Sequence, residues 1–212
     1  KGCTSSTGAI MIRDIDRLQH QTYDLLIIGA GINGAATAYM ASQAGLKVAL
    51  LEKNDFASGA SSKSSKLLHG GIRYLENFEF DLVQEALKER YIQYKNAPHL
   101  VQPLSFVIPV YRNSPRPLWM MKVGVWLYDL LSSQYTMGLR EKLSVAQIQA
   151  AAPGINTKGL IGGVAYWDAQ MNDTRICLEN ILMADLKGAH VANQVEVVDF
   201  IKENTKCIGV QA

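Results

Sequence analysis

Short apolar runs alternate with helical stripes and glycine-rich turns along this chain. Tyr23–Ile28 is an apolar run that stops at Gly29; so short a run without polar alternation predicts a parallel-sheet strand buried on both faces. The alanine-rich residues 35–44 predict a helix, with Gly45 where a left-handed residue commonly ends one. Lys47–Leu51 predicts a second buried strand with Glu52 at its carboxyl end. Strand, helix and strand together make one βαβ unit.

Further on, Leu82, Val83, Ala86, Leu87, Tyr91 and Tyr94 lay an apolar stripe along residues 81–96, with Glu and Lys on the other face. Leu104–Tyr111 predicts a strand, and Pro117–Ser132 a helix opened by proline in its first turn. Ser144 and Gln147 have the spacing of a capping box ahead of a short helix that must stop before Pro153. Leu160–Trp167 reads as a strand whose glycines permit a close approach. Asp173 is a plausible N-cap for a helix ending near Gly188, and Val195–Ile201 with Cys207–Val210 reads as a hairpin about residues 203–206.

Composition narrows the class. With 48% hydrophobic and 19% charged residues, the 212-residue chain has enough apolar surface for a packed core, which excludes disorder. A net charge of +2 gives no global field for nucleic acid. Cys3, Cys177 and Cys207 are too scattered for a disulfide framework or a zinc site, so no metal is expected and a reducing compartment is. No apolar run is long enough to span a bilayer. Lys1–Ile10 is polar and precedes Met11; residues 1–22 are expected to be a poorly ordered extension outside the fold.

The chemistry concentrates in two turns. Gly29-Ala30-Gly31-Ile32-Asn33-Gly34 follows a strand, opens a helix, returns to a strand and meets the acid Glu52. In that context the glycines serve a tight turn, the approach of a pyrophosphate and close helix-strand packing, and the helix N-terminus supplies amide donors and partial positive charge. Glu52 can accept both hydroxyls of an adenosine ribose. FAD and NAD both fit this much.

The second turn follows a serine-rich loop, Phe56–Ser65. Ser61 is placed to cap a helix over residues 62–69, on which Lys63, Lys66 and His69 would share a face. Gly70-Gly71 breaks that helix and lets backbone pass close to a flat ligand, and Arg73 can grip a phosphate by two parallel hydrogen bonds. Plainer roles compete: Arg73 as the partner of Glu76, His69 as the residue that fixes the glycine turn, and Lys63 as a solvated side chain. Asp168 and Asp173 are explained by a strand-end turn and a helix cap. The run through Trp119 to Leu131 reads by default as core, with membrane-surface contact as the other reading.

The GAGINGA turn, the SGASSKSSKLLHGGIRYLE run, the EALKER, APHL and RPLWM segments and the YWDAQMNDTR stretch resemble FAD-dependent glycerol-3-phosphate dehydrogenase, from about Tyr23 to Val198. The resemblance implies an α/β fold: a glutathione-reductase-like FAD-binding Rossmann domain over 23–212, with about 100–170 contributing to an interleaved substrate or cap region. The implied activity is oxidation of sn-glycerol 3-phosphate to dihydroxyacetone phosphate, with electrons passed to quinone. Gly29, Gly31, Asn33 and Gly34 would hold the FAD pyrophosphate, and Glu52, with Lys53 beside it, the ribose. Ser61, Ser64, Lys66, Leu67, Gly70 and Gly71 would line the flavin-facing loop, Val197 would touch the adenine side, Arg73 would bind the substrate phosphate and His69 would lie beside the ring.

The resemblance also implies a cytoplasmic protein peripheral to the membrane, and it leaves a homodimer open. The family's later flavin-binding and basic segments, where the general base is expected, have no counterpart before Ala212. A fragment with weak FAD binding and little activity of its own is therefore expected. A glycerol-3-phosphate oxidase producing hydrogen peroxide and a non-catalytic nucleotide-binding module are the alternatives.

Overall fold

The computed structural model describes residues 13–212; the Lys1–Ile10 segment lies outside them. In chain order the elements are α1 (Ile15–His20), β1 (Leu25–Ile28), α2 (Ile32–Gln43), β2 (Val48–Leu51), β3 (Leu67–Leu68), α3 (Phe80–Asn96), β4 (Val101–Tyr111), α4 (Leu118–Ser132), β5 (Glu141–Leu143), α5 (Val145–Ala151), β6 (Leu160–Met171), α6 (Asp173–Leu186), β7 (His190–Ala192), β8 (Asp199–Glu203) and β9 (Lys206–Gln211). Single 3-10 turns lie at Ala60–Ser62, Ile72–Asn77 and Ser133–Tyr135.

The chain divides into two compact units. Residues up to Ser65 together with Asp173–Ala212 form the first, and Lys66–Asn172, inserted between its two halves, forms the second. The second unit thus takes in residues from Lys66 onward, ahead of the 100–170 stretch expected to contribute to the cap region.

In the first unit a parallel sheet runs in the order β1-β2-β7, with Leu25 opposite Val48 and Leu51 opposite Ala192. Ala35 and Ala38 of α2, Val48 and Leu50 of β2, and Cys177, Ile181 and Ala184 of α6 form one buried cluster. β2 is buried throughout, as the sequence predicts, but β1 is not: among the described residues it pairs with β2 alone, and Ile28 is 50% exposed. An apolar run fixes the strand, whereas its place in the sheet depends on partners far along the chain. The α2 helix opens three residues earlier than expected and is closed by Gly45 at φ +89.

Residues 13–22 are not an unstructured extension. Asp14 caps α1 by accepting from the Arg17 amide at 2.9 Å, and Arg13 Nε donates to the Asn193 carbonyl at 3.0 Å. Strand β7 falls in a stretch with no periodic signal, and the β8–β9 hairpin turns at Asn204, φ +56, with Val195–Val198 preceding it outside any strand.

The second unit is built on β6, which pairs with β4 from Val101↔Met171 to Tyr111↔Leu160 and also takes β3 and β5 antiparallel. Both long strands extend beyond their apolar runs because each satisfies the other's backbone. A Cβ on Gly163 would collide with the Ile108 carbonyl, which is the close approach the glycines permit. The Ser144–Gln147 capping box forms as read.

The helix expected over 62–69 does not form. Ala60–Ser62 makes one 3-10 turn, Lys66 is left-handed at φ +62, and Leu67 and Leu68 pair with Gln170 and Ala169 as β3. Lys63, Lys66 and His69 therefore share no helix face: pairing with β6 satisfies the backbone of 67 and 68 without a helix.

Candidate functional site

The turn between β1 and α2 is assembled from backbone. Gly29 takes φ +100, open to glycine at little cost, and its N–H donates to the Leu51 carbonyl at 2.7 Å. A Cβ on Gly34 would collide with the Gly29 carbonyl oxygen, so only glycine lets α2 start this close to β1. The first intrahelical bond of α2 runs from Ala35 N–H to Gly31 O. The amides of Asn33 and Gly34 lie ahead of it, with no acid in the first turn, where donors and dipole favour an anion.

Two side chains complete the turn. Glu52, half-buried at the end of β2, accepts from the Ala30 amide through Oε2 at 2.8 Å and from the Asn54 amide through Oε1 at 2.9 Å. Each carboxylate oxygen keeps a lone pair for a further donor such as a ribose hydroxyl. Ser61 Oγ accepts from the Ile32 amide at 2.9 Å, and a Cβ on Gly31 would come within 3.1 Å of that oxygen. Ser61 thus serves the N-terminus of α2, not a helix of its own, and its hydroxyl hydrogen remains to meet a phosphate. A glycine cradle, an anion-favouring helix end and a carboxylate at its mouth fit the diphosphate and ribose of a dinucleotide.

Behind the turn, Cys177 donates its thiol hydrogen to the Ala30 carbonyl at 3.5 Å. Burial, with the nearby Glu52 charge second, pushes this thiol up to about 11, so it stays protonated. Val195 N–H donates to the Glu52 carbonyl at 2.9 Å, and half-buried Val197 stands two residues further on. Lys53 and Ser64 are exposed on their loops.

The Gly70 turn in the second unit is held differently. Gly70 is buried between exposed His69 and Gly71, which is left-handed at φ +74; Arg73 follows in the 3-10 turn and is exposed. Glu76, the partner for a solvated Arg73, is bonded instead to Arg116 at 2.6 Å. The half-buried Lys66 and Leu67 precede this turn, and the Lys66 carbonyl accepts from the Met171 amide at 2.9 Å.

Three residues here carry more than their sequence reading gave them. Asp168 is no strand-end turn residue: it lies within β6, 1% exposed, and its Oδ1 accepts from Gly70 N–H at 3.0 Å, Arg90 Nη1 at 2.5 Å and Tyr128 Oη at 2.6 Å. Arg90 is equally buried and also donates to the Trp167 carbonyl at 3.0 Å and the Tyr135 carbonyl at 2.9 Å. Burial and the Asp168 charge raise the Tyr128 hydroxyl far above its ordinary range, so it remains a donor, and push Tyr166 up to about 12. The available signal was Arg90 itself, three residues from Leu87 and seven from Val83 on the apolar side of α3. Asp173 is buried as the first residue of α6, not as a residue preceding it.

The α4 stripe is only partly core. Val125 and Tyr128 are buried, but Trp119, Val123, Trp126 and Leu130 are exposed, Trp119 by 64%. Among the described residues, no helix is long and apolar enough to cross a membrane, and no cluster of three or more His, Cys, Asp or Glu side chains could hold a metal ion.

The profile of the FAD dependent oxidoreductase family matches residues 24–212. The chain belongs to that family. FAD, not NAD, is therefore the cofactor of this chain's family. The chain is 47% identical over 187 residues to a glycerol-3-phosphate dehydrogenase of Synechocystis, covering 88% of this chain and 34% of that protein. It is 40% identical over 202 residues to an alpha-glycerophosphate oxidase of Streptococcus pyogenes, covering 93% of this chain and 33% of that one. A solved glycerol-3-phosphate dehydrogenase from Bacillus halodurans, complexed with FAD, superposes with a TM-score of 0.69 at 31% identity, over 92% of this chain and 31% of that one. This member of the FAD dependent oxidoreductase family thus spans about a third of the length of such relatives.

Proposed function

We propose that this chain is the FAD-gripping part of an enzyme that oxidises sn-glycerol 3-phosphate to dihydroxyacetone phosphate and passes the electrons to quinone. The observation that carries the reading is the Glu52 carboxylate on the Ala30 amide, 2.8 Å away at the mouth of an anion-binding glycine turn. The substrate is supported by the 47% identical dehydrogenase. When bound, FAD supplies the acceptor for the hydride from the substrate's secondary alcohol.

The chain's own residues position and charge-match. The amides of Asn33 and Gly34 and the Ser61 hydroxyl stabilise diphosphate charge, while Glu52 accepts ribose hydroxyl protons. Arg73, which has lost Glu76 to Arg116, binds the substrate phosphate and turns remote binding energy into alignment of the reacting carbon. His69 donates a hydrogen bond at the ring side. The alcohol proton goes to a general base. The exposed Trp119, Val123, Trp126 and Leu130 support an enzyme resting on a membrane surface, with aromatic side chains at the headgroup level.

The test is anaerobic bleaching of the flavin by sn-glycerol 3-phosphate in the full-length protein. Wild type should bleach. Arg73→Ala should half-saturate at a substrate concentration at least about tenfold higher, on the scale of about 1.4 kcal/mol per factor of ten. Equal rates and equal half-saturation would remove Arg73 from the substrate site, and a flavin that never bleaches would leave a nucleotide-binding module. The 40% identity to an oxidase favours a second reading, in which oxygen is the acceptor. Hydrogen peroxide formed in air at the rate of turnover would decide for it, and dependence on an added quinone against it.

A further inference from the structure

We propose that Asp168 is a positioning residue: it fixes the Gly70 peptide, and through it the presentation of Arg73 to the substrate phosphate. The inference rests on the reading of Arg73 given above. One carboxylate oxygen collects donors from three separate elements: the turn after β3 (Gly70), α3 (Arg90) and α4 (Tyr128). A buried carboxylate costs free energy unless it is paired and fully hydrogen-bonded, and the same pairing is expendable when only stability is at stake. Two of its three donors, Arg90 and Tyr128, belong to α3 and α4, which pack against each other, α4 also lying against β6. The third is the amide of Gly70 in the turn after β3, which is otherwise tied on either side by the pairing of Leu68 with Ala169 and by the Tyr74 N–H donating to the Gly71 carbonyl at 2.8 Å.

The site around Gly70 is closed to alternatives. A Cβ there would collide with Tyr128 Oη and Leu87 Cδ2, so the peptide meets the core edge-on. Gly71 then turns left-handed at φ +74, and the exposed Arg73 follows in the 3-10 segment. The Gly70 anchor fixes where this segment starts, and the packing of Ile72 and Leu75 against Val83, Leu87 and Tyr128 holds it from there, so a shift of the Gly70 peptide is carried to Arg73. Tyr128, kept neutral by burial and the Asp168 charge, donates the bond that holds the carboxylate oxygen in line with the Gly70 amide.

The test is a double-mutant cycle in the full-length holoenzyme, read as KM and kcat for sn-glycerol 3-phosphate with flavin content and Tm recorded beside them. Tyr128→Phe is the gentler probe, because it removes one donor and leaves the Arg90 pair intact; Asp168→Asn is the stronger one. Tyr128→Phe should raise KM roughly fivefold, the scale of one hydrogen bond, while kcat and flavin content change less than about twofold. In an Arg73→Ala background the same substitution should leave KM unchanged, since the residue through which it acts is gone. An equal fold-increase in both backgrounds, or a loss of Tm with no change in KM, would reduce Asp168 and Tyr128 to core structure. Should Arg73→Ala by itself leave KM untouched, the reading of Arg73 fails whatever Tyr128 does, so the two failures are told apart.

Discussion

At Gly29–Gly34 much of the holding is backbone on backbone, Gly29 N–H donating to Leu51 O and Ala57 N–H to Ala30 O, and the two side chains that help, Glu52 and Ser61, lie within about thirty residues. At Gly70 a single carboxylate, 98 residues away along the chain, does the holding. The first turn depends on glycines where a Cβ would collide and on acceptors near in sequence, the second on one charged side chain buried among two helices. A contiguous glycine pattern can be built from local geometry alone, while a buried charge works only when several remote donors arrive together.

The sharpest way to break the comparison is at its crowded point. Gly34→Val should put atoms into the Gly29 carbonyl, separate α2 from β1 and destabilise the fold by about 3 kcal/mol or more, with flavin content falling below a tenth of wild type. Flavin absorbance per protein and thermal melting measure both, and a variant that purifies fully yellow would contradict the cradle. Next comes Asp168→Asn, which strands the buried Arg90 guanidinium; urea unfolding should show a loss of about 3 kcal/mol. Flavin content at temperatures where the variant is folded should hold, because the dinucleotide turn draws nothing from Asp168.

Glu52→Gln is a smaller step. An amide keeps one acceptor oxygen for the Ala30 and Asn54 amides, so one of them loses its partner along with one ribose acceptor. FAD affinity should fall about tenfold in a flavin titration, at about 1.5 kcal/mol for a charge-assisted bond. Ser61→Ala removes the acceptor for the Ile32 amide, a capping-type loss of about 1 kcal/mol visible as a few degrees in Tm, together with the hydroxyl proposed to meet the diphosphate.

The smallest effect lies at the opposite end of the same sheet. Burial, with the Arg17 charge second, lowers the His190 pKa, and its Nδ1 lies 2.7 Å from the Tyr23 hydroxyl. The folded chain therefore resists protonation where the unfolded chain accepts it. Stability should fall slightly as pH drops below the ordinary histidine value of about 6.5 and stay flat above it. His190→Gln should flatten the slope without changing flavin content, measured as Tm against pH.

Much of the fold was legible because its signals are local. The apolar runs of β1 and β2, the glycine that ends α2, the capping box at Ser144 and the left-handed turn of the hairpin each depend on neighbours in sequence. What misled were segments with two local solutions. Residues 62–69 carry a helix-like spacing of Lys63, Lys66 and His69, yet β6 offers 67 and 68 strand partners a hundred residues on. Leu82 lies beside the true buried line of α3, which runs through Val83, Leu87 and Arg90, because an arginine on an apolar face reads as an interruption until its carboxylate is known.

By itself the sequence determined the dinucleotide turn: glycine spacing, strand, helix and acid lie within residues 25–52, and their geometry follows from backbone freedom and helix-end amides. Only the tertiary structure decided that Ser61 serves α2, that β1 pairs with β2 alone among the described residues and that Asp168, Arg90 and Tyr128 converge on Gly70. The reason is one of range. Backbone conformation is fixed within a few residues, but the partner of a buried charge is chosen by where distant elements pack, and nothing in the spacing along the chain records that choice.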